Sequence, residues 1–496
     1  MNTHGNPDNG KFEGIGRKPR GTLQRVVITG TLTLETPARF GSGDVEGLTD
    51  MPLLRDPVDN KPLLPGASIA GALRNYLREI EIGYGKDENP KAPKKSMAER
   101  LFGHLDDSIS DKKASLQSWL LIDDAMGKTP GVEIRDGVAL DPKTRTAAKG
   151  KKFDIELLEA GTTFDLSFEL LLNEKDEGLQ DALIYTLHGL EAGEIGMGQR
   201  KKRGLGRCKA GNWSVCTYDM SNPEQLIEWL EDDRSRALSG EKILELLQPK
   251  PEFMDRFKDQ RKCFIIDAKF ELESSLLVRS GSGKADSPGM VHLSSRRPGE
   301  PEPIPILSGT SLAGAVRARA SRIAKTVVTD RADNLINGMF GQHIESRKDK
   351  PTGSRVVTRE TLLTGTRDLV QSRVKLDRFT GGSYPGALFD QQPAFGGEGS
   401  RANVHLTIRN PEYAEIGLLL LVLKDLWTGD LPLGGESSVG RGRLRGLNAD
   451  LTLRQNGQEK TWHITQTADG LDVTGSMDNP KEELENFVKA LHGKES

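Results

Sequence analysis

The sequence predicts an α+β chain of two tandem ferredoxin-like domains with inserted hairpins, joined by a helical linker. Three observations predict this. One ordered set of motifs occurs twice. Each set opens on a stretch in which apolar and polar residues alternate, the period of a half-buried strand, and goes on to a segment that can start a helix. The interval between the sets carries apolar residues spaced three and four apart, the period of a helix.

The first set begins at Val27 with VITGTLTLETPARFGSG, and its counterpart begins at Phe264 with FIIDAKFELESSLLVRSGSG. LLPGASIAGALRNYLRE is then matched by PILSGTSLAGAVRARAS, and AERLFGH by INGMFGQ. VALDPKTRTAAKGKKFD is matched by VKLDRFTGGSYPGALFD, and GQRKKRGLGRC by GESSVGRGRLR. Asp50 and Asp286, Asp141 and Asp377, Phe153 and Phe389, and Gly206 and Gly442 are each 236 residues apart. Between them the offset drifts only locally, to 243 at Gly66 and Gly309 and 238 at Phe102 and Phe340. Five motifs in one order at nearly one spacing indicate a duplication. The expected division is a flexible tail over 1–21, one domain over 22–217, a linker over 218–261, a second domain over 262–455 and an appendage over 456–496. In the linker, Leu226, Trp229, Leu230, Ile243, Leu246 and Leu247 set the helical spacing.

The bulk numbers fit this plan. A chain of 496 residues suggests two to four domains. With 35% apolar residues and a mean hydropathy of −0.50, it has enough apolar side chains for ordinary cores. No apolar run reaches the length of a membrane span. Met1 to Arg20 is polar, glycine-rich and basic, unlike a signal peptide or presequence. Cys208, Cys216 and Cys263 form no CxxC pair, so neither a zinc knuckle nor a disulfide framework is indicated, and a cytoplasmic location is expected. The net charge of −3 excludes a uniformly basic nucleic-acid binder but not local clusters.

Two such clusters stand out. Gly196–Arg207 holds four glycines and five cations, Arg200, Lys201, Lys202, Arg203 and Arg207, with no acid. Gly434–Gly446 holds five glycines with Arg441, Arg443 and Arg445. Glycine lets a backbone lie against a polyanion and the cations neutralise it. Neither has the spacing of a Walker or Rossmann loop. Upstream, PGASIAGALR offers a helix start that Ser68 can cap, with Ser311 in the second copy. Backbone amides at such a start attract phosphate, and Arg74 and Arg317 can add charge-assisted contacts. The long polar loops at Asp141–Lys152 and Asp377–Phe389 are expected to project as hairpins, with Phe153-Asp154 and Phe389-Asp390 as a shared anchoring point.

Asp50 and Asp286 lie in loops ahead of the helix starts, each two residues before a proline. A loop carboxylate can bind a divalent ion or orient a ribose hydroxyl, and it can equally be a turn residue. His292, near Asp286, is a weak general-base candidate without a counterpart in the first copy. Acyl-transfer triads, zincin motifs and phosphate loops are absent.

Together, G-S-G followed by D-x-P-L-L-R-D-P, P-L-L-P-G-A-S-I-A-G-A-L-R, L-F-G and the terminal G-x-G-R loop resemble the RAMP superfamily, and within it the backbone subunits of type III CRISPR effectors. A fused pair looks like the double backbone subunit of type III-D systems. The resemblance covers nearly all of both units. It implies an RRM-like palm with a thumb hairpin in each unit. The thumb roles fall on Asp141, Lys143, Arg145, Asp377, Arg378 and Phe379. It implies guide RNA, complementary target RNA, a large polymerase-like subunit, further backbone subunits and small subunits as partners, and no membrane. It further implies target RNA cleavage with Mg2+ or Mn2+, the 2′-hydroxyl attacking the adjacent phosphate, at Asp50 and, through D-S-P, at Asp286.

Overall fold

The computed structural model describes residues 21–41, 51–86, 96–104, 116–141, 144, 146–173, 178–280, 288–342 and 352–493. Asp50, Asp286, Lys143 and Arg145 lie outside the described residues, as does the tail over 1–20.

Each repeat is an antiparallel sheet covered on one face by helices. In the first, the central strand Gln24–Leu34 pairs with Thr163–Leu172 on one side and Cys208–Asp219 on the other. Leu120–Ile122 and Ala125–Lys128 then pair with Thr163–Leu172. In the second, Cys263–Leu272 pairs with Arg401–Arg409 and Leu444–Gln455, and Val356–Thr358 and Thr361–Thr364 add to Arg401–Arg409. Counting only the core strands in chain order, both sheets run 4-1-3-2.

The alternation read from the sequence is the alternation of burial. Val26, Ile28, Leu32 and Leu34 point inward from one central strand, and Phe264, Ile266, Ala268, Phe270 and Leu272 from the other. Helix α1 (Gly66–Ile82) lays Ile69, Leu73, Tyr76, Leu77 and Ile80 on the first sheet. Residues three and four apart share that face, and each buried side chain of this size contributes about 1.5–3 kcal/mol. α2 (Met97–Phe102) is closed by a capping box between Ser96 and Glu99, and α3 (Leu179–Glu191) completes the layer.

The segment between the repeats differs from a plain helical linker. It holds three short helices, α4 (Pro223–Leu230), α5 (Ile243–Leu246) and α6 (Pro251–Arg256). It also supplies a strand, Leu238–Gly240, that extends the first sheet. Ile243 is fully buried in the first core, with Leu244, Leu246, Leu247, Phe253 and Phe257 packed around it. Its apolar spacing therefore serves docking onto the first repeat.

In the second repeat α7 (Gly309–Val327) and α8 (Ala332–Phe340) precede α9 (Tyr413–Trp427), which covers the sheet centre. The described part of the expected appendage over 456–496, residues 456–493, is not separate. Gln458–Thr467 and Gly470–Gly475 continue the second sheet, and α10 (Pro480–Leu491) packs on α9. Trp462, Phe487 and Leu491 belong to the second core. A side chain at Gly417 of α9 would have its Cβ 2.2 Å from the Phe487 carbonyl oxygen, so the two helices touch backbone to backbone. Among the described residues no helix is long and apolar enough to cross a membrane.

Each repeat carries a hairpin beyond its sheet. Val132–Leu140 pairs with Ala147–Leu158, and Gln371–Leu376 with Ser383–Gln392. Asp141 and Asp377 sit where the strands turn. The Asp141 carboxylate accepts from the Thr144 amide, and that of Asp377 from the amides of Phe379 and Thr380. The recurring Asp is therefore a turn former, whose carboxylate replaces backbone acceptors at the tip. These hydrogen bonds hold the Asp377 carboxyl below its ordinary pKa. Arg378 lies over the ring of Phe379, which is 89% exposed. The two phenylalanines expected as a shared anchor differ: Phe153 packs with the buried Ile155–Leu157–Leu205 cluster, whereas Phe389 is exposed.

Candidate nucleic-acid interface

The two glycine-rich loops are superposable in their hydrogen bonding. Met197 N–H donates to the Gly206 carbonyl at 2.8 Å, and Leu433 N–H to that of Gly442 at 2.9 Å. Arg203 N–H donates to the Arg200 carbonyl, and Val439 N–H to that of Glu436. Four positions in each loop take positive φ: Gly198, Arg200, Gly204 and Gly206, and Gly434, Glu436, Gly440 and Gly442. Gly206 and Gly442 are obligatory glycines, since an added Cβ would stand 1.8 and 1.9 Å from the carbonyl oxygens of Met197 and Leu433.

The surroundings of the two loops are unlike. The first is seated on the second repeat: Arg203 forms a parallel bridge with Thr358, and Thr358 N–H donates to the Lys202 carbonyl at 3.0 Å. The space a Cβ would need at Gly309 is taken by the Arg203 carbonyl oxygen, 2.2 Å away. The loop thus closes over the start of α7. At the equivalent position of the second loop, Gly440 has open space around it.

This seating gathers cations from both repeats. Arg200 lies 4.8 Å over the Phe153 ring. Burial lowers its pKa, and the charges of Arg203 and Arg39 act in the same direction. Arg317 on α7 is lowered first by burial and then by Arg203. Among the described residues, Arg200, Arg203 and Arg317 make no salt bridge. Arg39 is buried and donates to the carbonyls of Met51 and Pro52 at 3.2 Å and to the Gln199 side chain. It holds the chain that directly follows Asp50. Cations crowded without counter-charge are unfavourable alone and favour a bound polyanion.

Several expected contacts are otherwise engaged. Lys202 Nζ donates to the Ser354 carbonyl at 2.6 Å, and Arg207 pairs with Glu35 at 3.1 Å. Lys201 is exposed, with its pKa lowered chiefly by partial burial of its amine. Arg441 is buried rather than presented to solvent. It bonds Gln371 and Gln391 and pairs with Glu436, which also holds Arg279 and Arg373. Arg443, just before the strand Leu444–Gln455, and Arg445 on it are exposed. Arg74 is half-buried.

Neither serine caps its helix. Ser68 lies exposed inside the first turn, the N-cap is Pro65, and the Gly66 amide donates instead to Asp124 Oδ1 at 2.7 Å. Ser308, not Ser311, caps α7, accepting from the Ser311 amide. The backbone position of Asp124 is taken in the second repeat by Glu360, freed from capping by Ser308.

Glu360 is the residue that sequence reasoning missed. It is wholly buried between Arg135 on the first hairpin and Arg297 of the second repeat, with Glu133 and Ser295 alongside. Burial alone would raise its pKa, but the two guanidinium groups hold it below the ordinary carboxylate value. His292 is not exposed for general-base work. It is buried, with Nδ1 2.9 Å from the Leu276 carbonyl oxygen and Nε2 2.9 Å from that of Ile306. Burial lowers its pKa. Among the described residues no group of three or more His, Cys, Asp or Glu is placed to hold a metal.

The RAMP superfamily model matches residues 31–209 and again 269–445, one match in each repeat. The chain belongs to the RAMP superfamily. Curated relatives carry the name CRISPR system Cms endoribonuclease Csm3. The protein from Streptococcus thermophilus is 26% identical over 227 residues, covering 42% of this chain and 98% of the relative. The Mycobacterium tuberculosis protein is 29% identical over 153 residues, 29% of this chain and 62% of the relative. That from Enterococcus italicus is 29% identical over 217 residues, 40% of this chain and 97% of the relative. A relative covered almost completely by less than half of this chain agrees with a RAMP unit present twice.

Proposed function

We propose that this chain is a fused double backbone subunit of a type III CRISPR ribonucleoprotein, as in type III-D systems, which holds guide RNA and cuts complementary target RNA once in each repeat. The observation that carries the reading is the cation cluster of Arg200 and Arg203 from one repeat with Arg317 from the next. It lies along a seam where a strand of phosphates can pass from repeat to repeat. The 4-1-3-2 strand order supports a ferredoxin-like, RRM-like palm, and the projecting hairpins support the role of thumbs that displace a nucleotide. The endoribonuclease name of the relatives supports the cleavage reading.

The catalytic and metal-binding carboxylates in this reading are Asp50 and Asp286. One carboxylate supplies a hard oxygen ligand for Mg2+ or Mn2+, and the remaining ligands would come from RNA and water. When bound, the ion would stabilise charge on the phosphate. The protein's part is positioning. The clamp of Arg39 on Met51 and Pro52 fixes the chain beside Asp50, and a nucleotide turned out of the duplex by the hairpin brings its 2′-oxygen in line with the phosphorus. Attack expels the 5′-oxygen and leaves a 2′,3′-cyclic phosphate. Other subunits of the effector, large, small and further backbone, would complete the assembly.

A non-catalytic second repeat is favoured by one observation. Met51 bridges Ile155 and Met290 pairs with Gln391, equivalent places on the two hairpins. Asp50 directly precedes Met51, whereas Asp286 stands four residues before Met290. The test uses the assembled complex with guide, labelled complementary RNA and magnesium, comparing wild type, Asp50→Ala, Asp286→Ala and the double variant on a sequencing gel. Loss of one band per substitution with RNA binding intact supports two sites. Survival of every band in the double variant refutes catalysis at both.

A further inference from the structure

The same corner of the two loops carries opposite charge. Arg200 at φ +54° and Glu436 at φ +60° occupy it, each accepting through its carbonyl the amide three residues on. In the first repeat the corner adds a cation to Arg39 and Arg203. In the second it adds a carboxylate, which lies 3.3 Å from Arg279, 3.2 Å from Arg373 and 3.3 Å from Arg441 and also accepts from Gln391. Three guanidinium groups and an amide converging on two oxygens is the donor set that binds a phosphate. Arg441 Nη1 is buried with no acceptor among the described residues, so the set holds one more donor than the carboxylate uses.

We propose that this corner residue decides whether a repeat grips an RNA phosphate: Arg200 makes the first repeat a phosphate site, and Glu436 fills the matching site of the second as a built-in counter-ion. The two repeats therefore hold RNA unequally despite equal backbones. A phosphate entering the second loop must displace or face a carboxylate, and like charges in a half-buried site repel strongly. This rests on the RNA-binding reading above and adds that its strength is set by one position per repeat.

The experiment measures binding of a labelled poly(U) strand to the full chain over a salt series, with wild type, Arg200→Gln and Glu436→Gln. Wild type must bind with a salt-dependent affinity; if it does not, the RNA-binding reading itself fails. Given wild-type binding, Arg200→Gln is expected to weaken it about tenfold and to make the slope of log K against log salt shallower by about one. Glu436→Gln keeps the size of the side chain, removes its charge and turns one of its two accepting oxygens into a donor. It is expected to tighten binding several-fold and to steepen the slope by about one, since a cation set is released for phosphate. Ultraviolet crosslinks should appear at 434–442 in this variant and be weak there in wild type. Unchanged or weaker binding by folded Glu436→Gln overturns the proposal. Should that variant not fold, Arg279→Gln with Arg373→Gln gives the answer. Neutralised cations contribute little, so unchanged binding supports the proposal, and a loss equal to that of Arg200→Gln overturns it.

Discussion

Arg135 on the first hairpin and Glu360 on the second repeat form a buried ion pair across the repeat boundary, with Arg135 Nη2 3.2 Å from Glu360 Oε1 and a second hydrogen bond beside it. Arg297 shares the same carboxylate. Glu360→Gln leaves two buried guanidinium groups short of counter-charge and is expected to cost about 3–5 kcal/mol. Glu133→Gln is expected to cost much less at neutral pH. Burial raises the Glu133 carboxyl, against the opposing charge of Arg135, so the fold stabilises its charge less than it does that of Glu360. Chemical denaturation of both variants checks this, and equal losses would refute it. Because the Glu360 pKa is depressed, its contribution is complete above the unfolded value of about 4.3 and is lost as pH falls through the folded one.

Gly204 and Gly440 share a left-handed conformation, at φ +89° and +87°, but only Gly204 meets the other repeat, where a Cβ would lie 2.4 Å from the Glu360 amide nitrogen. Gly440→Ala should cost only the conformational penalty, roughly 1–2 kcal/mol. Gly204→Ala should cost clearly more and increase proteolysis at the repeat boundary. Similar losses for the two would show that the seam is loose.

His292 stitches three segments through its ring nitrogens. Its folded pKa lies below the unfolded value of about 6.5, so the unfolded chain gains the proton first and stability falls as pH drops below that value. His292→Gln is expected to destabilise the second repeat. The difference from wild type should shrink on acidification, while target-RNA products stay unchanged. Loss of cleavage in a stably folded variant would restore the histidine as a catalytic candidate.

Deleting the chain from Pro480 onward removes Phe487 and Leu491 from the second core and uncovers Trp462 and Phe264, which pack on Phe487. At about 1.5–3 kcal/mol for each lost side chain, the second repeat should melt earlier while the first is little changed. Two transitions in calorimetry would show it. A single unshifted transition would contradict the packing.

At the hairpin tip, Phe379→Ala should leave the melting temperature within error, because an 89% exposed ring contributes little to folding. Asp377→Ala removes the acceptor for two amides, so hydrogen exchange at Phe379 and Thr380 should accelerate. Unchanged exchange would mean the turn holds without its carboxylate.

Much of this was legible in the sequence because it is local or periodic. The burial of Val26, Ile28 and Phe264 follows from alternation, and the duplicate loops from their glycines. What was illegible depends on distant partners. Ser68 looks like a cap, but Asp124, 58 residues beyond Gly66, accepts the Gly66 amide and takes that role. Arg441 looks like a phosphate ligand, but hairpin residues Gln371 and Gln391 and the adjacent Glu436 enclose it. The 236-residue offset pairs Asp50 with Asp286, whereas strand pairing around Met51 and Met290 differs from it by three residues. An insertion within the second loop shifts register in space without erasing the match in letters.

Among the described residues the contact between the repeats includes one strand bridge, a glycine seated on a carbonyl, the Lys202–Ser354 hydrogen bond, the Arg409–Glu79 pair and a handful of buried charges. Between separate molecules such a surface would bind weakly, because desolvating the charges offsets most of their attraction and association costs translational freedom. The segment over 218–261, fastened to the first core, removes that second cost by keeping the partners at an effective concentration on the order of millimolar. Joined this way, the seam is released from any demand for affinity. Its geometry can then be dedicated to spacing, with Arg135 and Glu360 acting as a ruler rather than a glue.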